Sequence, residues 1–165
     1  ETTLLEVLKR NIRLQLDAGA EIVMMFDSGI SSLDNDLFRG MYQLLLKNIS
    51  NSFPNKVGYY ARGKNYNEIS YLSDLPFAGI GVDNGIDLQQ IFLNSKFGFI
   101  QGNFNENHLL LDAVELASEL KIYSEFMKNM DNLNGWVCGL GHGINKVTLE
   151  KNVHLFIEKI RKNFS

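Results

Sequence analysis

Five short polar stretches hold the residues of this sequence whose types and spacing suit chemistry. They are Asp27-Ser28-Gly29, Arg62-Gly63-Lys64, Asp83-Asn84-Gly85, Gln101-Gly102-Asn103 and Gly141-His142-Gly143. Ser28, Arg62, Lys64 and His142 bring hydrogen-bond donors, and Asp83 brings an acceptor. A set of hydroxyl, imidazole and cationic donors holds carboxylates and other anions. The last stretch is the most distinctive. Glycines on both sides of His142 remove side chains that would shield the imidazole, and they allow backbone angles that other residues resist.

Each stretch closes a short apolar run. The runs cover residues 21–26, 56–61, 78–82, 96–100 and 136–140. Their length and near-continuous apolar character suit strands buried on both faces of a parallel sheet. Helical patterns lie before and between them. Over residues 3–18, Leu5, Leu8, Ile12 and Leu16 fall on one face, Thr3 and Glu6 stand at capping-box spacing, and Gly19 is a stop signal. Further helices are expected at 34–50, with Phe38, Tyr42 and Leu45 on one side, and from Asn65, capped with Glu68, to about residue 73. Others follow at 87–93, with Asp87 and Gln90 at cap spacing, and at about 106–127. The last, at 148–163, carries Leu149, Val153, Phe156, Ile157 and Ile160.

The order is αβαβαβαβαβα, which implies βαβ units and a parallel α/β sheet. All five polar stretches then lie at the carboxyl ends of strands, the edge where such folds bind ligands. A complete (β/α)8 barrel takes about 250 residues, more than this chain has. Five units suit either a portion of that barrel or an open five-stranded doubly wound sheet. Periodicity does not choose between them.

The 165 residues are 45% apolar and 21% charged, the profile of one globular domain spanning 1–165. A net charge of -3 supplies no basic field for nucleic acid or an anionic membrane. No apolar run reaches the roughly 18 residues of a membrane span. The single cysteine, Cys138, rules out an internal disulfide framework and suits a reducing, cytoplasmic location. Cys138 and Trp136 are expected to pack, and His108 and His154 to lie at the surface or its boundary. The chain opens on Glu1 and runs straight into a helical pattern, so it reads as a piece of a longer protein.

Asp27-Ser28, Tyr60-Ala61-Arg62-Gly63, Gly81-Val82-Asp83, Gln101-Gly102-Asn103 and Leu140-Gly141-His142-Gly143-Ile144 occur in that order, each closing a strand. In order and spacing they resemble the carboxyl-terminal half of the uroporphyrinogen decarboxylase family, over nearly the whole chain. The resemblance implies the C-terminal portion of a (β/α)8 TIM barrel and a lyase of haem biosynthesis, commonly a homodimer. The family removes the four acetate carboxylates of uroporphyrinogen III to give coproporphyrinogen III, with no metal or organic cofactor. It implies that Ser28 and His142 line the substrate cleft and contact substrate carboxylates, and that Asp83 stands at the same mouth. Arg62 and Lys64 are the cationic donors this half offers beside them.

The family's amino-terminal arginines, essential aspartate and cleft tyrosine precede the matched region. No catalytic residue is therefore assigned here, and the chain alone is expected to be inactive without the missing amino-terminal half. Three positions depart from the family pattern. Asn84-Gly85 replaces Trp-Thr, Asn105-Glu106 stands in place of Asp-Pro, and Gly139 replaces an asparagine. They point to a divergent member. A non-catalytic half-barrel that pairs with another chain is the competing reading. A zinc-dependent methyltransferase of the same superfamily is disfavoured, because no cysteine stands at residues 61–63 or 141–143 to hold zinc.

Overall fold

All five apolar runs enter one parallel sheet: β1 (Val23–Asp27), β2 (Val57–Ala61), β3 (Gly79–Gly81), β4 (Phe99–Gln101) and β5 (Trp136–Val137). The computed structural model describes residues 2–32 and 38–164. The spatial order of the strands is their sequence order. Right-handed crossovers that always step the same way put every intervening helix on one face of the sheet. A doubly wound sheet instead reverses at a switch point and carries helices on both faces. No reversal occurs, so the open-sheet alternative gives way to five consecutive units of a parallel βα barrel.

The pleat divides the strands between the two faces. On the helix side Val23, Val57, Tyr59, Ile80 and Ile100 are buried against Ile12, Leu46, Ile49, Leu72 and Ile91. On the barrel side the register sets two rows across the sheet. One row is Met24, Gly58, Gly79 and Phe99, and the next is Phe26, Tyr60, Gly81, Gln101 and Val137. Three of these positions are glycine for a steric reason. A Cβ on Gly79 would enter the Phe99 ring, one on Gly58 would strike the Met24 sulfur, and one on Gly81 would lie 3.2 Å from the Tyr60 Cβ. Large side chains from neighbouring strands thus lie flat over bare backbone. β1 and β5 form the sheet's two edges, and Phe26 on the inner row is 65% exposed.

The helices follow the expected stripes with local differences. α1 (Thr2–Asp17) buries Ile12, with Leu5 and Leu16 packed beside it, and stops at Gly19 with φ +104. The Thr3–Glu6 box does not form, because the helix already runs through Thr3 and Glu6 pairs with Lys9 at 3.5 Å. The expected start of the next helix at Asp34 lies outside the described residues. A π-helical turn (Phe38–Tyr42) leads into α2 (Gln43–Ser52), whose buried face is Leu46 and Ile49 in place of Leu45.

α3 (Tyr66–Ile69) carries the expected Asn65–Glu68 capping box, and α4 (Leu88–Asn94) is capped by Asp87 on Gln89 N–H at 2.9 Å. The long helix expected from 106 is broken. A 3-10 turn (Glu106–Leu110) ends before Asp112, which caps Val114 and Glu115 and starts α5 (Ala113–Lys128). α6 (Glu150–Phe164) packs Leu155, Phe156 and Ile160 on Phe104, Leu109, Leu116 and Leu120, while Leu149 and Ile157 stay exposed. No helix among the described residues is long and apolar enough to cross a membrane.

Gly79→Ala is expected to destabilise the fold by about 1–3 kcal/mol, the cost of overpacking. Phe99→Leu added to it should recover part of the loss. Urea unfolding of the two variants checks this.

Candidate functional site at the strand ends

A parallel sheet delivers every strand's carboxyl end to one edge, so the five polar stretches form a single rim. The rim is built on its backbone. The Asp83 carboxylate accepts from Gly63 N–H at 2.7 Å through one oxygen and from Gly85 N–H at 3.1 Å through the other. Gly63 takes φ +67 to make that approach, a conformation that suits glycine. Asn103 Nδ2 donates to the Asp83 carbonyl at 2.8 Å and to the Ile86 carbonyl at 2.7 Å. Asp83 and Asn103 therefore lock the loops after β2, β3 and β4 together.

The Gln101-Gly102-Asn103 turn is held from behind as well. Trp136 Nε1 donates to Gly102 O at 2.9 Å, and Tyr123 OH donates to the same carbonyl at 3.1 Å. Tyr123 also accepts from Asn103 N–H at 3.0 Å. Burial, the largest influence, holds the Tyr123 hydroxyl above the ordinary tyrosine range.

His142 is half-buried, with Nδ1 3.3 Å from Gly143 O. Its place is fixed through Gly141. Gly141 N–H donates to Phe104 O at 2.8 Å, and its carbonyl accepts from the Tyr60 hydroxyl at 2.8 Å. A Cβ on Gly141 would lie 2.5 Å from the Asn84 backbone nitrogen, so only glycine lets the loop sit this close. Tyr60 rises from the inner face of β2 and passes over Gly81 to reach the loop after β5. Burial and then the charge of Asp83 push its hydroxyl up to about 12, with Arg62 opposing, so it remains a donor near neutral pH.

Ser28 and Arg62 follow adjacent strands, and both are exposed on this rim. The Arg62 backbone N–H donates to Asp27 O at 3.2 Å, while its guanidinium makes no ion pair within 4.0 Å among the described residues. Lys64 departs from expectation. Its side chain is 5% exposed and its ammonium lies 3.4 Å from Glu68, whose other oxygen completes the Asn65 cap. Burial and pairing inside that capping box remove Lys64 from the solvent-facing donors. Asp27 turns to the helix side, where Tyr59 OH donates to it at 3.0 Å. Burial and the Asp27 charge hold the Tyr59 hydroxyl high, and burial with the Asp27 hydrogen bond pushes Tyr42 up to about 12.

Tyr60 belongs to the Tyr60-Ala61-Arg62-Gly63 run, but the strand ends alone give it no role. It stands inside a strand, and nothing in its neighbours' spacing reveals a partner 81 residues away. Two cavities of about 430 Å³ flank the rim. One runs along the free edge of β1 beneath Leu4, Leu8 and Tyr42, and the other lies between Asn84, Asn105, His108 and Phe126. Neither is lined by Ser28, Arg62 or His142. Among the described residues no group of three or more His, Cys, Asp or Glu is placed to hold a metal ion. Cys138 is half-buried, and burial pushes its thiol up to about 11.

Sequential parallel strands with a locked polar rim at their carboxyl ends define an α/β-barrel protein. Within that class the chain belongs to the uroporphyrinogen decarboxylase family, whose model, Uroporphyrinogen decarboxylase (URO-D), matches residues 2–163. It is 30% identical over 156 residues to the uroporphyrinogen decarboxylase of Orientia tsutsugamushi (strain Ikeda), covering 91% of this chain and 44% of the relative. It is 29% identical over 153 residues to that of Francisella philomiragia, covering 90% of this chain and 44% of the relative. The chain thus spans less than half the length of these curated relatives. Among solved structures, a methyltransferase from Methanosarcina mazei superposes with a TM-score of 0.73 at 19% identity, over 98% of this chain and 48% of the other. At that identity the likeness speaks for the shared fold.

Two outcomes follow. Tyr60→Phe leaves the buried Gly141 carbonyl without its donor, which should cost about 1–3 kcal/mol in urea unfolding and shift the His142 ring proton resonances. Raised tyrosine and thiol pKa values stabilise the protonated fold, and that stability is lost as pH rises through the folded values. The urea midpoint should hold near neutral pH, then fall as pH climbs from the ordinary thiol value of 9.0 and tyrosine value of 10.0 towards about 11 for Cys138 and about 12 for Tyr60 and Tyr42.

Proposed function

We propose that this chain supplies the carboxyl-terminal wall of a cofactor-free decarboxylase of haem biosynthesis, which converts uroporphyrinogen III to coproporphyrinogen III. The observation that carries the reading is the buried Tyr60–Gly141 hydrogen bond. It holds His142 on the same strand-end rim as Ser28 and Arg62, in a chain of this family.

The reaction breaks the bond between an acetate methylene and its carboxylate. Carbon dioxide leaves, the bonding electrons pass towards the pyrrole, and a proton takes the vacated position. For that, the substrate's carboxylates must be held while the reacting group is kept from bulk water. Arg62 offers a forked guanidinium to a carboxylate, with His142 and Ser28 as neighbouring donors. Asp83 serves the substrate through the loop that carries Arg62, since both its oxygens are engaged by Gly63 and Gly85. Protonation or anchoring of the pyrrole falls to residues outside this chain. The reading needs no metal or organic cofactor, and it places the enzyme in the cytoplasm.

The partner in this reading is a complementary set of βα units, with homodimer formation following. A non-catalytic role as an interaction module finds its own support in the exposed Phe26 and the apolar cavity along the free edge of β1. Free strand edges and bare apolar faces recruit partners.

Arg62→Ala and His142→Ala should each weaken binding of a porphyrin carboxylate about 10- to 100-fold, the loss of one charge-assisted hydrogen bond, without lowering the urea midpoint. Mixed with the amino-terminal units of the Orientia relative, the chain should form coproporphyrinogen from uroporphyrinogen in an anaerobic assay. Absence of turnover in the folded mixture would sink the activity. By itself the chain should self-associate in light scattering, and a stable monodisperse monomer would count against the half-barrel.

A further inference from the structure

Asn84, in the loop after β3, and the Asn105-Glu106 pair that follows β4 touch each other at the rim. Asn84 Nδ2 donates to Asn105 Oδ1 at 3.1 Å and to Glu106 Oε2 at 3.2 Å. Asn107 Nδ2 donates to the other Glu106 oxygen at 3.2 Å. The carboxylate is half-buried and gripped by two neutral amides, with no cation within 4.0 Å among the described residues. Amides orient a carboxylate without neutralising it. The same Asn84 abuts Gly141, the residue that fixes His142. Burial first and Asp83 next hold the Tyr60 hydroxyl high, and Glu106 adds a smaller push in the same direction. Asn84 and Glu106 therefore form one device, a fixed negative charge beside the His142 loop.

We propose that Glu106, oriented by Asn84, determines specificity at this rim: it disfavours a carboxylate on the β3–β4 side of the ligand and accepts a neutral or N–H-donating substituent there. This rests on the reading of the rim as a porphyrinogen-carboxylate site. On either side of it, Arg62 after β2 and His142 after β5 remain the anion-holding ends. A ligand that has already lost acetate carboxylates on the Glu106 side fits such a rim better than one that carries all of them. The chain would then favour a porphyrin with fewer acetate carboxylates over one that carries all four.

The stable oxidised probes uroporphyrin and coproporphyrin differ by the four acetate carboxylates and allow a direct test. Binding of each is measured by fluorescence titration to the wild-type chain and to Glu106→Gln, each mixed with the amino-terminal units of the Orientia relative, at low and high salt, with circular dichroism confirming an unchanged fold. The wild type should prefer coproporphyrin. Glu106→Gln should raise uroporphyrin affinity about three- to tenfold relative to coproporphyrin at low salt, and the gain should shrink at high salt as screening removes the repulsion. Binding with the same preference in both proteins would overturn the role of Glu106 and leave the carboxylate site standing. Failure of both porphyrins to bind either protein would overturn both.

Discussion

The hydrogen bond from the Tyr60 hydroxyl to the Gly141 carbonyl ties the loop after β5 to the inner face of β2. A loop of Gly141, His142 and Gly143 has little intrinsic order, and fixing each residue's backbone costs roughly 1–2 kcal/mol. A single hydrogen bond contributes only about 0.5–1.5 kcal/mol. The loop is therefore held by several contacts acting together: the Tyr60 donor, the Phe104 carbonyl on the other side and close packing against Asn84. Tyr60 reaches that far because Gly81 leaves no side chain in its way. The missing side chain at Gly81 is thus a condition for the placement of His142.

The same logic separates the residues that build the rim from those free to meet a ligand. Asp83, Asn103, Tyr123 and Trp136 spend their polar atoms on loop backbone. Lys64 is paired and buried with Glu68. Ser28, Arg62 and His142 stand on this frame with solvent access. A frame of backbone clamps tolerates exchange of the residues it presents.

Much of this was legible in the chain itself. The five strands, the Asn65–Glu68 cap, the Gly19 stop and the shared edge follow from local rules, because short apolar runs, caps and stops are encoded by near neighbours. The break at Asp112 was signalled by its own capping box with Glu115, yet the flanking apolar residues masked it. The faces of α2 and α6 slipped by one position or lost their outer members, since burial depends on what each helix meets.

By itself, the sequence determined the kind of elements, their order and the gathering of five polar stretches at one edge. Those properties depend on residues close together in the chain. Only the tertiary structure decided that the strands lie in sequential order, so that the sheet is a barrel segment. Only it decided that Lys64 is buried while Arg62 is free, and that Tyr60 crosses the sheet to hold the His142 loop. These depend on contacts between residues tens of positions apart, which no local pattern contains.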